Sequence, residues 1–371
     1  MSAEDAGSND PGPRDPDATT STSSSSGSSG TLSSASSSGG TSSSGELTSS
    51  SGGSSGPTYA AKPPISLQSP DGGAASGVLT INISGDRLAV GMNNGQAAPE
   101  GMVTQFRKQP GWVAVSTSKK SLTQFGTSLA YWKEELFVPY GTGIVAAYTG
   151  NGSENWYQTK GSPNVFYTTS HASGGDKRLL FRGQLENGVD TVLDVIDSAN
   201  SVLKVVEQPT EGVSFIAVAA NDRWLYFDGA DGGNLRVYEA DSPTPSLSIA
   251  GAIATAALSE DTVVAFSKNL KLLVYRGDEA TTLVAPENRA FTDSIAVCKD
   301  VGILATALEA PTQKTHVLRY NPNNLNAPPE DYPLEGDRAV VACSKDVFAA
   351  LAFVNGGQAR LHIFEKLSSA Q

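Results

Sequence analysis

Phe215-Ile-Ala-Val-Ala-Ala-Asn-Asp222-Arg-Trp-Leu-Tyr-Phe227 decides the fold. A run of small apolar residues enters an acid-bearing turn and a second apolar run leaves it, the pattern of a tight β-hairpin. The arrangement recurs at Asp86, Glu134, Asp176, Asp222, Asp261, Asp300 and Asp346, at intervals of 39 to 48 residues. A period in the forties with several short strands per unit marks a β-propeller, whose blades stack around an axis. An all-β, seven-bladed propeller is therefore expected. No segment keeps the helical periodicity that an α/β fold would need.

The fifth repeat shows the unit most clearly, with strands expected at Ile253–Leu258, Thr262–Phe266, Leu270–Tyr275 and Thr281–Val284. First strands are rich in Ala and other small residues, which suits the innermost position where blades converge. The last repeat is one strand short, because the chain runs out after Arg360–Phe364. An orphan strand at Ile65–Ser69, just before the first repeat, is expected to pair beside Arg360–Phe364 and close the ring. The prolines ahead of it, Pro63 and Pro64, suit an edge strand.

Residues 1–62 form a different regime, almost entirely Ser, Gly, Thr, Pro, Ala and Asp. Such a stretch buries too little apolar surface to offset its ordering entropy, so a disordered tether is expected there, with the propeller spanning 63–371. The net charge is −12, and no basic run exceeds a pair such as Lys119-Lys120 or Lys177-Arg178. Nucleic acid and anionic membrane surfaces are therefore poor partners. No apolar run reaches the length of a membrane-spanning helix. Cys298 and Cys343 occupy matching places in neighbouring repeats, Ser294-Ile-Ala-Val-Cys298 and Val340-Val-Ala-Cys343. They are too few for a disulfide scaffold and read as small buried hydrophobes.

Val192-Leu-Asp-Val-Ile-Asp197 with Gly212-Val-Ser-Phe-Ile-Ala-Val and Leu225-Tyr-Phe resembles the YVTN and lactonase-like seven-bladed propellers. Ala147-Tyr-Thr-Gly150 followed by Trp156 is similar to the quinoprotein repeat. The resemblance spans about two blades and implies a bacterial propeller. It also implies an alternative function, an enzyme with its site at the central channel mouth. A Ser/Gly tether ahead of a propeller resembles exported bacterial lipoproteins after removal of their signal. A cell-envelope or exported location follows from that resemblance, and a cytoplasmic one if Met1 is the true start.

Chemistry-bearing residues are sparse. His316 and His362 fall on third strands away from the axis, and His171 is expected to end an inner strand at its hairpin turn. Separated in this way, they cannot share a metal or general-base site and read as packing or surface residues. No cofactor is expected. The repeated acids read as turn caps bonded to their own backbone. Asp228, Asp231 and Asn234, on a Gly-rich loop, are the best calcium candidates, but they lack the spacing and terminal Glu of an EF-hand loop. The loops of the expected ligand face carry Glu211, Arg289, Asp293, Asp337 and Arg338, and these suit a polar or anionic ligand. Trp112, Tyr131, Trp132, Tyr140, Trp156 and Tyr157 gather in the first two repeats, either as inter-blade packing or as a platform for sugar rings. The leading reading is a non-catalytic, monomeric propeller presenting a face to a protein or glycan partner.

Overall fold

The computed structural model describes residues 58–69, 77–94, 100–121, 124–139, 144–150, 152–158, 171–184, 189–197, 202–209, 212–229, 232–310, 312–354 and 358–367. Residues 1–57 of the expected tether lie outside them. So do Tyr140, Glu211 and Asp231, and the side chains of Trp156, Tyr157 and His171.

Among the described residues seven antiparallel sheets follow one another along the chain. Blade one runs from Val78–Ser84 to Gly111–Lys120, blade two from Ala130–Trp132 to Glu154–Gln158, and blade three from His171–Gly174 to Val202–Glu207. Blade four runs from Val213–Val218 to Leu247–Ala250, blade five from Ile253–Leu258 to Glu279–Leu283, and blade six from Arg289–Cys298 to Glu330–Pro333. Blade seven contributes Arg338–Ser344, Val347–Val354 and Gln358–Lys366. The fold is the expected seven-bladed propeller. All seven repeated acids stand in the turn between the first and second strands of a blade.

The described residues share no single core. The buried apolar residues form seven clusters, each shared by two adjacent blades. Second strands lie between neighbours on both faces, so Trp224–Asp228 is buried at every position. That is why these strands read as unbroken apolar runs instead of alternating ones. First strands line the axis and bond to the next first strand through side chains. Ser128 Oγ accepts from Ala172 N at 2.9 Å, Ser173 Oγ from Val218 N at 2.9 Å, and Ser294 Oγ from Val341 N at 3.0 Å.

The ring closes where the last blade lacks its outer strand. Ile65–Gln68 pairs antiparallel with Gln358–Leu361, as the sequence predicts. A second segment was hidden in the tail composition: Tyr59–Ala61 pairs with Phe364–Lys366. The expectation of a disordered tether as far as residue 62 is thereby corrected at its end. Tyr59 is 1% exposed and packs edge-on to Phe348, with Arg319 over its ring. Glu330 of blade six accepts from Thr58 N at 3.3 Å, Thr58 Oγ1 at 2.6 Å, Arg319 at 2.5 Å and the Tyr332 hydroxyl. One large buried ring outweighs the polar composition around it, because burying an aromatic side chain contributes about 2–3 kcal/mol.

Four further details differ from the sequence reading. Cys298 and Cys343 are joined by a disulfide with a Cα–Cα distance of 6.1 Å. Equivalent positions of neighbouring first strands converge at the axis, so cysteines one repeat apart come within bridging reach. The third strand of blade five begins at Leu272, since Leu270 takes a left-handed φ of 60° in the preceding turn. His171 opens the first strand of blade three, and the hairpin forms further on, where Gly175 N donates to Arg178 O. Asp261 caps its own turn, accepting from Ser259 Oγ at 3.2 Å and Thr262 Oγ1 at 2.9 Å, but the acids are not all self-caps. Asp222 Oδ1 caps the neighbouring turn, accepting from Lys177 N at 2.8 Å and Arg178 N at 2.9 Å, and Asp346 pairs with Lys366 at 3.5 Å. Left-handed residues such as Gly85 and Lys345, and the acids Glu134 and Asp222 themselves, shape these hairpins.

Two outcomes follow from the closure. Removing residues 1–56 leaves the melting temperature unchanged, whereas removing residues 1–61 lowers it. Tyr59→Ala alone costs about 3–5 kcal/mol in denaturant unfolding. Equal unfolding midpoints for the two truncations would refute the second latch segment. Glu365 ties the latch to blade one, with Lys62 at 3.0 Å, Lys108 at 2.9 Å and Trp112 Nε1 at 3.1 Å. Burial pushes its carboxyl up, but the bonds from Lys108, Lys62 and Trp112 outweigh that and hold it below the usual carboxylate range. A depressed folded-state value stabilises the fold above the ordinary carboxylate pKa, and the gain is lost as pH falls through the folded value. Thermal scans down an acid series should show wild type losing its advantage over Glu365→Gln; an advantage independent of pH would contradict this.

Candidate functional site

The central channel is walled by the first strands of six blades and by Thr127, Ser128 and Leu129, which lead into the first strand of blade two, around a cavity of about 360 Å³. Among the described residues its wall carries no ionisable side chain: Ala, Val, Ile and Leu dominate, and the bridged cysteines complete it. Thr80, Asn82, Thr127, Ser128 and Ser173 are the polar groups that it presents. Those of the first blades are committed to holding neighbours, with Thr80 Oγ1 donating to Gly126 O at 2.8 Å and Asn82 Nδ2 to Leu129 O at 3.2 Å.

Charged chemistry concentrates on blade six instead, with one residue from each of its four strands. Arg289 opens the first strand, Glu309 ends the second, His316 lies on the third and Asp331 on the outer strand. Arg289 Nη1 pairs with Asp331 Oδ2, and its Nη2 lies 4.0 Å from Glu309 Oε1. His316 Nδ1 sits 2.8 Å from Asp331 Oδ1 and its Nε2 3.9 Å from Glu309 Oε2, which closes the circuit. The Thr312 hydroxyl, 2.6 Å from Glu309 Oε2, is the main cause that holds the Glu309 carboxyl below the usual range. His316 is 5% exposed and its Nε2 has no hydrogen-bond partner. The network straps the blade across its width, and its two carboxylates are more exposed than the guanidinium between them.

Beside it, a cleft of about 480 Å³ opens between the outer strand of blade five and blade six. Arg289 and Asp331 stand in its wall with Leu283, Val284, Tyr320 and Leu325, and with Pro286, Pro328 and Pro329.

The expected site residues are not assembled into one constellation. Arg289 belongs to the blade-six network. Asp293 lies exposed in the irregular stretch between Phe291 and Ile295, and Arg338 opens the first strand of blade seven, also exposed. Neither makes a side-chain hydrogen bond or ion pair among the described residues. Asp337 donates its backbone N–H to Phe353 O at 3.1 Å. In the calcium candidate, Asp228 is 5% exposed and faces Arg236 at 3.4 Å, directly opposite Asn234 in the register. Among the described residues no group of three or more His, Cys, Asp or Glu could hold a metal ion. Of the aromatics, Tyr131 and Trp132 are buried between blades, and Trp112 packs against the core between blades one and seven. Sequence reading missed Glu309, His316 and Asp331 as partners of Arg289. The one available signal was the pairing of Arg289 with Glu309 across a long hairpin, which the bulge between them obscures.

No family model matches the chain, and no curated protein matches it. Solved structures do. A chain of the mitotic checkpoint complex is similar at 14% identity with a TM-score of 0.56, covering 84% of this chain and 98% of that one. The β-propeller domain of Cps50 (Swd1) from Myceliophteria thermophila is similar at 14% identity and 0.53, covering 82% and 100%. The WD40 β-propeller domain of Doa1 is similar at 12% identity and 0.54, covering 84% and 98%. At such identities the likeness is one of fold, and the fold that this chain shares with them is the β-propeller.

Proposed function

We propose that this chain is a non-catalytic propeller that presents a binding face to a protein partner from the end of a Ser/Gly-rich tether. The observation that carries the reading is the channel wall, where a propeller enzyme of the resembled lactonase-like or quinoprotein-like kind would need polar groups converging on substrate. There the described side chains are uncharged, and most of the polar ones bond neighbouring blades. General acid–base or Lewis-acid chemistry requires ionisable groups within a few ångströms of a reacting atom. The burial of Tyr131 and Trp132 favours a protein over a glycan, because stacking on sugar rings needs exposed aromatic faces. One structural neighbour is by its name part of a multiprotein complex, which agrees with this reading. Fold alone does not carry it, since propellers host many functions.

The Cys298–Cys343 bridge supports an exported or cell-envelope location, because such bridges persist in oxidising compartments.

Purified full-length protein is expected to turn over neither lactones nor quinone-coupled alcohols, and to bind no stoichiometric metal. Bound metal together with a turnover that Asp293→Asn abolishes would make the enzyme the correct reading. For the compartment, non-reducing peptide mapping of protein from its native cells should recover Cys298 and Cys343 in one linked peptide. Recovery of both as alkylated free thiols would overturn the exported location.

A further inference from the structure

The cleft between blades five and six joins three features. Its floor is apolar, formed by Leu283, Tyr320 and Leu325, and Val284 at its edge is 80% exposed, more than any other large hydrophobic residue among those described. Pro286, Pro328 and Pro329 form its rim, and their fixed φ angles leave little backbone freedom for a ligand to remove. At one end Asp331 and Arg289 of the blade-six network stand in the wall, with side chains 34% and 16% exposed; Glu309, 30% exposed, belongs to the same network outside the lining. Glu287 is also exposed two residues before Arg289, and Lys314 is the exposed cation nearby. Within the cleft wall the carboxylate of Asp331 is more exposed than the guanidinium of Arg289, so the accessible charge there is negative, and Glu287 and Glu309 stand beside it against Lys314.

We propose that this cleft docks a protein segment in which an aliphatic side chain lies close to a Lys or Arg. This deepens the protein-binding reading of the previous section and rests on it. The aliphatic group covers Val284 and fills the space over Leu283 and Leu325. The cation meets Asp331, the carboxylate in the cleft wall, whose oxygens are already oriented by Arg289 and His316. That carboxylate is therefore pre-oriented, so the incoming charge meets an acceptor that loses little freedom on binding. An anionic segment would face the surplus carboxylate and is disfavoured.

The test is selection of short random peptides displayed on phage against the full-length chain, with binding of the recovered peptides measured to the wild type and to Val284→Asp. Val284 is exposed, so its replacement leaves the fold intact, as an unchanged melting temperature will verify. Selected peptides are expected to share an aliphatic residue near a Lys or Arg and to bind Val284→Asp about tenfold more weakly or worse. Replacing the peptide's cation with Ala should also weaken binding, by a factor that shrinks as salt rises. Peptides that bind wild type and Val284→Asp equally overturn the cleft but leave the protein-binding reading standing, because the face then lies elsewhere. A selection that yields no peptide, or only peptides lacking a cation, also overturns the cleft. Failure of the underlying reading has a separate signature, turnover in the enzyme panel.

Discussion

Ring closure is the constraint on which the rest depends. Each interface between blades is a sandwich of two sheets, and it exists only if the neighbouring sheet is held in place. Six blades are built from contiguous chain, while the seventh is completed by segments some 300 residues distant in sequence, as the pairing of Tyr59 with Lys366 shows. Contacts of such separation carry the full loop-closure entropy before they return any stabilisation. The latch is correspondingly well equipped. It has two strand segments, an aromatic ring buried against Phe348, and a carboxylate hub at Glu330 that reaches into blade six. At the axis the Cys298–Cys343 bridge holds the same pair of blades from the inner edge of their sheets.

Much of this architecture was legible in the sequence, because a propeller repeats its local rules. The acids mark seven hairpins, small residues mark first strands, and the short last repeat calls for a strand from elsewhere. Ile65–Gln68 was visible because it alternates apolar and polar residues. Tyr59–Ala61 was not. Three residues of strand carry no periodicity, and the Ser/Gly composition before them outweighs one tyrosine. The cysteines show a different failure. Their equivalence one repeat apart was on view, yet its meaning depends on the distance between neighbouring first strands, which a propeller makes short only near its axis.

The candidate site was harder to read for a similar reason. Arg289 stood out as a cation on a loop of the expected ligand face. Its partners Glu309, His316 and Asp331 come from three other strands, and their meeting depends on registers set by a bulge and two hairpins. An error of one residue in any register would turn a side chain to the opposite face. The consequence for function is a shift of attention from axis to rim. The channel is spent on holding blades together, whereas the cleft on blade six combines apolar surface with ordered charge.

The two ends of the described chain are neighbours. Leu367 N donates to Thr58 O at 2.9 Å, so the path around the ring begins and finishes at one spot. A protein built this way can be spliced into a surface loop of another with almost no gap to bridge. The described part can equally be circularly permuted, with Leu367 and Thr58 joined by a short linker and new ends cut at an exposed turn such as Asp241–Thr244. A permuted chain of that kind would keep the latch as ordinary contiguous sequence. The seventh blade would then no longer be the last to find its partner, and closing the ring would become a local event.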